Sequence, residues 1–248
     1  MRARTFLGDP LPWIGACFLF FLLFMPALQP LFARAFPATQ PPLYAGDTVL
    51  ALWLFHAALV AISSLAAIAL GLGGGIFASR PAGAEFRPLL QSLATIGQTF
   101  PPVAVLALAV PSFGYGAVPT FIALTLYGVL PIFANTLAGL ASVPAAAHEA
   151  ALGMGLTPFQ ILRQVELPLA APVILAGIRV SVIVNIGTAT IGSTVGAVTL
   201  GTPIIEGLVT EKLGYVIEGA IVVGLFAILT DMMFERLDRA MRRFAKRD

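Results

Sequence analysis

The chain has 248 residues, of which 58% are hydrophobic and only 10% are charged. Soluble domains usually contain about 25% charged residues, so this composition excludes an ordinary soluble domain and indicates a membrane protein. The length suits a single transmembrane domain over residues 1–248, with no room for a separate ATPase or receptor domain. The formal net charge of +2 adds little, and we expect no nucleic-acid partner. The one cysteine, Cys17, excludes an intrachain disulfide and is expected to be a buried packing residue.

Apolar segments of membrane length predict an all-α integral membrane protein with about six transmembrane helices. Their approximate boundaries are 11–33, 48–78, 88–110, 117–141, 171–197 and 214–236. Pro26 and Pro30 should kink the first span or end it early. The glycine cluster from Gly71 to Gly75 is not followed by Gly-Lys-Ser/Thr, so it predicts close helix packing rather than a phosphate-binding loop. Glu218, near one end of the last span, is expected at the membrane interface.

The third span is interrupted near its middle by Gln98-Thr99-Phe100-Pro101-Pro102. Two prolines remove two backbone donors and free carbonyl groups upstream. Within a membrane, such a break survives only where neighbouring protein or a watery cavity satisfies the backbone. Gln98, Thr99 and Phe100 are therefore candidates for a translocation route, and a simple structural kink explains the same break equally well.

The fifth span has an unusually polar centre. Ser181, Asn185, Thr188 and Gly192 are separated by steps of four, three and four residues, which places them on one face of a helix. This stripe predicts a lining of the translocation route, with Asn185 as the leading candidate. It equally predicts small-residue helix packing, in which Ser and Thr hydrogen-bond to their own backbone.

Residues 142–170 form the one long polar passage between spans, and we name this passage the elbow. Gly155 can end a first short helix in the left-handed conformation. A second helix should begin after Thr157, because Thr157 and Gln160 are spaced as a capping box. Leu167-Pro168 is expected to close that helix. The charges of the elbow cannot lie unpaired in hydrocarbon, so it must face water or a protein partner.

The basic residues predict the orientation in the membrane. Of the 14 basic residues, eleven lie on the side of the elbow and of both termini: Arg2, Arg4, Arg80, Arg87, Arg163, Arg236, Arg239, Arg242, Arg243, Lys246 and Arg247. Arg34 and Lys212 lie on the opposite side, and Arg179 lies within the fifth span. Because positive residues favour the cytoplasm, the elbow and both termini are expected to be cytoplasmic.

Catalytic motifs fail on spacing. His148-Glu149 does not open an H-E-x-x-H motif, because Leu152 stands where the second histidine is needed. Residues 192–196 carry Thr rather than Ser at the centre of a would-be nucleophile elbow. His56 is more typical of a packed histidine than of a metal ligand. No Walker A segment is present, so any ATP hydrolysis must come from another chain, and we predict no enzyme, no catalytic residue and no metal site.

Glu149-Ala150-Ala151, three residues, Gly155, nine residues and Val165-x-Leu167-Pro168 together resemble the EAA loop of ABC-importer permeases. The family pattern is E-A-A-x3-G-x9-I-x-L-P, so Val165 is the single departure. The resemblance implies the MetI-like fold of type I importers, in which the elbow forms coupling helices that dock on a cytoplasmic ATPase. The coupling residues it implies are Glu149, Ala150, Ala151, Gly155, Thr157, Leu167 and Pro168.

Four further segments resemble the osmoprotectant permeases, the membrane subunits of glycine betaine, choline and carnitine ABC importers. They are IGQTFPPVAVLALAVP (96–111), YGVLPIFANTLAGL (127–140), ELPLAAPVILAGIR (166–179) and NIGTATIGSTVGA (185–197). The strongest resemblance is to the low-affinity glycine betaine branch, which uses two different permease chains. Where many relatives carry GAGGLG, residues 196–201 read GAVTLG, so another small solute, such as methionine or a phosphonate, is kept as the alternative substrate.

The resemblance also implies partners and a location. We expect a complex in the bacterial inner membrane that contains a second permease chain, identical or sister, and two ATP-binding cassette subunits. A periplasmic or lipid-anchored substrate-binding protein would deliver the solute, and transport would proceed by alternating access. This chain would bind no cofactor itself, because ATP and Mg²⁺ would be used by the ATPase. A membrane scaffold without transport activity is the remaining alternative.

Overall fold

The computed structural model describes residues 9–244, with side chains described up to residue 241. Every regular element within this range is helical, so the predicted all-α class is confirmed. Six basic side chains that contributed to the predicted orientation lie outside the described part of the chain: Arg2, Arg4, Arg242, Arg243, Lys246 and Arg247.

The α-helices follow one another with short connections. They are α1 (Pro10–Phe24), α2 (Gln29–Ala35), α3 (Val49–Ser79), α4 (Arg87–Thr99), α5 (Pro102–Phe113), α6 (Ala117–Ala141), α7 (Ala145–Gly153), α8 (Pro158–Ile161), α9 (Leu167–Ala189), α10 (Gly201–Val209) and α11 (Leu213–Phe244). Three 3₁₀ turns, Met25–Leu28, Pro81–Phe86 and Ile191–Val195, and one π turn, Leu162–Glu166, connect some of them.

The described chain has five helices that are long and apolar enough to cross a membrane. They are Pro10–Ala35, Val49–Ser79, Ala117–Ala141, Pro158–Ala189 and Leu213–Met241. A sixth span is obtained when Pro81–Thr99 and Pro102–Phe113 are counted as one broken span, which bends by 96° at the break. This count agrees with the predicted number of about six. Pro26 lies in the 3₁₀ turn that interrupts the first span, as expected for a proline within a helix.

The helix that begins at Pro158 does not close at Leu167-Pro168, so that prediction is wrong. The π turn joins α8 directly to α9, and the Leu167 N–H bonds to the Leu162 carbonyl five residues back. This shift of hydrogen-bond register lets the chain accommodate Pro168, which has no N–H to offer, without breaking the helix. The second half of the elbow and the fifth span therefore form one continuous helix of 32 residues.

Three other boundaries differ from the predicted ones. The fifth span stops being α-helical at Ala189, eight residues before the expected end at 197. The expected loop 198–213 contains α10. The last helix continues past 236 to Phe244, where the charged side chains of Glu235 and Arg239 pair at 2.9 Å, an i,i+4 arrangement that stabilises a water-exposed helix end.

Two side chains lie in environments that the sequence did not predict. Cys17 is exposed rather than buried. Helix α1 is apolar on all sides, so hydropathy alone does not tell which of its faces packs inside. Glu218 is only 3% exposed, because its carboxylate Oε2 accepts the Tyr44 backbone N–H at 2.7 Å and the chain folds over it.

Contacts divide the chain into two compact units, and the first unit contains residues 101–124, 185–233 and the described chain up to residue 62. Its core consists of Phe18, Leu22, Met25, Leu52, Leu200 and Val222. His56 is fully buried in this unit. Its Nε2–H donates to the Ile186 carbonyl at 3.1 Å, and its Nδ1 accepts the Leu200 N–H at 3.3 Å. One ring nitrogen donates and the other accepts, so the ring is neutral and His56 is a packed residue, as predicted.

The second unit contains residues 63–100, 125–184 and the described chain from residue 234 onward. Glycines hold its helices close together. A Cβ added at Gly71 would lie 2.8 Å from Ile132 Cβ, and one at Gly75 would lie 2.6 Å from Thr136 Cβ. A Cβ at Gly177 of α9 would lie 2.6 Å from Asn135 Cβ of α6. The glycine cluster therefore serves close packing of α3 on α6, as predicted from the sequence.

The packing at Gly75 is tested by replacing it with alanine. The added methyl group must displace Thr136, so we expect a cost of about 1–3 kcal/mol and a melting temperature lower by roughly 3–10 °C. The measurement is thermal unfolding of the purified protein in detergent. Gly73→Ala is the matched control, because nothing lies within 4 Å of a Cβ there; equal melting temperatures for the two variants would contradict the assignment.

Candidate functional site

The elbow is built by local backbone chemistry. Helix α7 ends at Gly153, and Gly155 turns the chain with a φ of +80°, a conformation that favours glycine. Thr157 and Gln160 form the predicted capping box: Gln160 N–H donates to Thr157 Oγ1 at 3.4 Å, and Thr157 N–H donates to Gln160 Oε1 at 2.8 Å. The predicted turn is thus present, although only the first of the two helices that it joins is short, since α8 continues through the π turn into α9.

A buried carboxylate ties the elbow to the end of a transmembrane helix. Glu166, in the π turn, is 8% exposed and accepts a hydrogen bond from the Arg80 guanidinium, one residue beyond α3. The other carboxylate oxygen lies 3.2 Å from His148 Nδ1 on α7. Glu166 is therefore paired inside the chain rather than offered to a partner. Sequence reasoning missed this cluster, although Arg80 and Glu166 each flank an apolar block and must find a partner if they are not in water.

The elbow presents a mixed surface. Of the predicted coupling residues, Glu149, Ala150, Gly155, Thr157 and Pro168 are exposed and Leu167 is half-buried. Ala151 differs from the expectation, because it is fully buried and its small size serves packing within the chain. Among the described residues, nothing pairs with the Glu149 carboxylate, which borders a small cavity of about 270 Å³ shared with His148 and Glu166.

Three large apolar side chains of the elbow were not identified from the sequence. Leu152 lies near the end of α7, Met154 in the turn and Phe159 in α8, and all three are exposed, Met154 to 72% and Phe159 to 68%. They surround Gly155 in the sequence, one group on each side of the turn. Their apolar character in an otherwise polar passage was the available signal, because exposed apolar side chains in a water-facing segment mark a docking surface.

The first group of route candidates lies at the end of α4. Gln98 is half-buried and its Nε2 donates to the Tyr127 carbonyl at 3.4 Å, while Thr99 and Phe100 are exposed. Two turns of α4 display exposed polar side chains, Gln91, Thr95 and Thr99, at successive steps of four. Thr95 and Thr99 bond back to backbone carbonyls, which is a known way for hydroxyls to be tolerated in a membrane.

The second group of route candidates does not share one environment. Ser181 and Asn185 on α9 are fully buried within the chain, and Thr188 is half-buried. Gly192 falls outside the helix, in the 3₁₀ turn, where a Cβ would meet Thr120 Cγ2 at 2.3 Å. The predicted four-residue stripe is therefore cut to three, and the burial of Ser181 and Asn185 favours the packing alternative for these two.

Residues 196–201 read GAVTLG where the resemblance leads us to expect GAGGLG, and Thr199 within them has a structural role. Thr199 is fully buried, and its Oγ1 lies 2.8 Å from Ser193 Oγ and 3.2 Å from the Ala189 carbonyl and accepts the Gly201 N–H at 2.9 Å. A glycine at this position has no hydroxyl and could make none of these bonds. Together with the His56 contact to Leu200, they fix the segment that follows α9.

The described residues carry no group of three or more His, Cys, Asp or Glu side chains that could hold a metal ion. The arrangement of the elbow suits the transmission of movement to the membrane helices. An exposed elbow is joined through Glu166 to α3 and through the π turn to α9, and both helices are long enough to cross a membrane.

Residues 71–243 match the family described as the binding-protein-dependent transport system inner membrane component. The chain belongs to this family.

Similar proteins include permeases from several bacteria. The permease is 42% identical over 186 residues to the osmoprotectant import permease protein OsmY of Salmonella typhimurium, a match that covers 75% of this chain and 79% of OsmY. It is 44% identical over 149 residues to the choline transport system permease protein OpuBB of Bacillus subtilis, covering 60% of this chain and 69% of OpuBB. The osmoprotectant import permease protein OsmW of Salmonella typhimurium is 37% identical over 187 residues, covering 73% of this chain and 86% of OsmW.

Solved structures confirm the MetI-like fold. The inward-facing MetNI methionine ABC transporter aligns with a TM-score of 0.68 at 23% identity, covering 76% of this chain and 93% of that chain. An amino acid ABC transporter solved with histidines aligns with a TM-score of 0.62 at 19% identity, covering 90% of this chain and 97% of that chain. The family match and the relatives show a multi-pass membrane permease of a transporter.

The role of Glu166 is tested by hydrogen exchange. Glu166→Gln removes the charge that pairs with Arg80 and His148, so the elbow should open more often and its amides over 145–161 should exchange roughly tenfold faster. Glu149→Gln is the matched control, because the Glu149 carboxylate has no partner among the described residues. Unchanged protection of the elbow in Glu166→Gln would rule out the carboxylate as its anchor.

Proposed function

We propose that the permease is a transmembrane subunit of an ATP-driven ABC importer for osmoprotectants of the quaternary-amine type, such as glycine betaine or choline. The observation that carries the proposal is the elbow, a water-facing segment with exposed apolar side chains and an unpaired carboxylate. The similarity to OsmY and OpuBB supports the class of solute. The alternative function is that of a permease of the same architecture for another small solute, such as methionine or a phosphonate. It would use the same mechanism.

The elbow is the proposed docking surface for a cytoplasmic ATPase. Leu152, Met154 and Phe159 supply the apolar centre that protein interfaces need, and Glu149 supplies a charge at their edge. Ala150, Gly155 and Thr157 allow a close approach at the same surface. ATP and Mg²⁺ would be bound by that partner, and this chain would bind no cofactor.

Movement of the ATPase would reach the membrane through two connections. One is covalent, since the elbow continues through the π turn, Leu167 and Pro168 into α9. The other is the contact of Glu166 with Arg80 at the end of α3. A rigid displacement of the elbow would therefore tilt two spans together, which suits alternating access by rigid-body motion.

The polar face of α4 supports a further chain in the complex. Gln91 is exposed on a helix of a broken membrane span, and its amide, unlike the hydroxyls of Thr95 and Thr99 that bond back to the helix, favours protein or water over lipid. A second permease chain, identical or sister, would cover this face and enclose the route. Gln98, Thr99 and Phe100 would then line it, with Ser181, Asn185 and Thr188 of α9 as further candidates. A substrate-binding protein would deliver the solute from outside.

The proposed orientation puts the elbow and both termini in the cytoplasm of a bacterium, with the chain in its inner membrane. The excess of basic residues on that side supports this choice. Arg34, at the end of α2, and Lys212, before α11, would then lie on the outer side. The same orientation brings the elbow to the compartment that contains ATP.

Coupling is tested with Gly155→Asp. A side chain at a φ of +80° strains the turn, and its charge would stand on the proposed docking surface. We therefore expect the loss of at least nine-tenths of ATP-dependent uptake of labelled glycine betaine and choline, while membrane insertion is retained. Gly114→Asp is the matched control, because Gly114 has a φ of +78° in open space outside the elbow. Normal uptake by Gly155→Asp would contradict the coupling role. Uptake of methionine instead of either amine by the wild type would favour the alternative function.

The route is tested with Asn185→Leu, measured for uptake and for thermal stability. A route residue should lose uptake with an unchanged melting temperature, whereas a packing residue should lose stability first, because leucine cannot replace a buried amide. Thr99→Leu provides the comparison at an exposed position. Unchanged uptake and stability in Asn185→Leu would remove this residue from the route.

A further inference from the structure

A cavity of about 500 Å³ lies within the first unit, and no residue of the elbow or of α4 lines it. Its walls come from α1 and the turn that follows, from Gln29 of α2, from the segment 41–50, and from Glu218 of α11. Most of the lining is apolar, including Leu22, Leu23, Met25 and Leu43. A largely apolar cavity of this size with a small number of polar groups is the usual form of a small-molecule site.

The polar group that matters is the carboxylate of Glu218. It is 3% exposed and lines the cavity. Its Oε2 accepts the Tyr44 N–H at 2.7 Å, and among the described residues no cationic side chain pairs with it. A carboxylate offers about four lone-pair positions, so one backbone donor fixes its direction and leaves most of its accepting capacity unused.

The segment that covers the cavity is fixed by contacts of Tyr44. The Tyr44 ring packs against Gly46, where a Cβ would lie 2.2 Å from the Tyr44 hydroxyl, and meets Tyr215 edge-on at 5.8 Å. The Tyr44 N–H bond to Glu218 and the ring contact between Tyr44 and Tyr215 hold this segment against α11. The cavity is therefore a built feature of the chain.

The surroundings of the cavity are electronegative. Asp47 is an exposed second acid on its lining, and the lining contains no Lys or Arg. Burial, followed by the carboxylates of Glu206 and Asp47, raises the pKa of the Tyr44 phenol above its ordinary value of 10.0. Lys212 is turned to the Tyr215 ring, with Nζ 4.8 Å from its centroid, and does not line the cavity.

We propose that this cavity binds an alkylammonium group, with the Glu218 carboxylate as its counter-ion and the apolar walls around its carbon substituents. A hydrated metal ion does not fit, because the apolar walls cannot replace its water ligands. An anion, or a small zwitterion that brings its own carboxylate into the cavity together with its ammonium group, would meet Glu218 and Asp47 with like charge. A choline-like cation matches both the charge and the apolar lining.

The alkylammonium group has two sources, a free solute outside the cell or the head group of an aminophospholipid. Both use the same chemistry at Glu218, and the experiment separates them. The site is additional to the proposed route, since it is lined by different residues. Binding here is measured without uptake, so its failure leaves the proposed transport function untouched.

The test measures calorimetric binding of choline to the full-length permease in nanodiscs of phosphatidylglycerol. Choline should bind at least tenfold more tightly than its neutral isostere 3,3-dimethylbutan-1-ol, which has the same shape without the charge. Glu218→Gln should weaken choline binding at least tenfold. Leu23→Trp fills the cavity from a half-exposed position, keeps the carboxylate and should weaken binding similarly.

Glu85→Gln is the matched control, because Glu85 is an exposed acid that does not line the cavity. Phosphatidylethanolamine that copurifies with the wild type, is displaced by choline and is lost in Glu218→Gln would support the site with a lipid as its source. Equal binding of choline and its neutral isostere, or choline binding that both Glu218→Gln and Leu23→Trp retain, would overturn the proposal. The absence of both choline binding and retained phosphatidylethanolamine would overturn it as well.

Discussion

The pairing of Glu166 with Arg80 and His148 is the constraint on which the elbow depends. A carboxylate whose side chain is 10% exposed needs partners that donate hydrogen bonds or carry positive charge. Because Arg80 is 30% exposed, losing this pair should cost about 1–2 kcal/mol, between the values for exposed and fully buried ion pairs. The three residues come from the end of α3, from α7 and from the π turn. Their contact therefore fixes the exposed elbow against the spans, so that a force on the elbow acts on helices rather than on a loose loop.

The spans themselves are held by small residues rather than by a hydrophobic driving force, because lipid is as apolar as their side chains. Gly71 and Gly75 bring α3 onto α6, and Gly177 brings α9 onto α6 at Asn135. Helices α3 and α9 are also the two to which the elbow is joined. The elbow is thus joined to α3 and α9, and these two helices are in turn packed closely on α6. All of these contacts lie within the second unit.

The number and type of spans could be predicted because hydropathy and length report them directly. The cap at Thr157 and the turn at Gly155 were predictable for a similar reason, since both are set by adjacent residues. The prediction that the helix closes at Pro168 was wrong because a π turn changes the hydrogen-bond register there. No local sequence pattern indicates such a turn. The burial of Ala151 and Glu218 and the exposure of Met154 and Phe159 are decided by tertiary packing, on which the sequence of a uniformly apolar chain says little.

Exposure has a different meaning in each part of such a chain, and this decides how its residues are interpreted. Apolar side chains exposed on a span, such as Leu65 and Leu108, contact lipid and need no protein partner. Met154 and Phe159 are as exposed, but they lie in a polar elbow where water would surround them, so they call for a protein. Gln91 is the reverse case, a polar side chain exposed on a broken span, where its amide favours water or protein over lipid. The two kinds of mismatch, at the elbow and on α4, are therefore the surfaces on which the proposed ATPase and second permease chain would be placed.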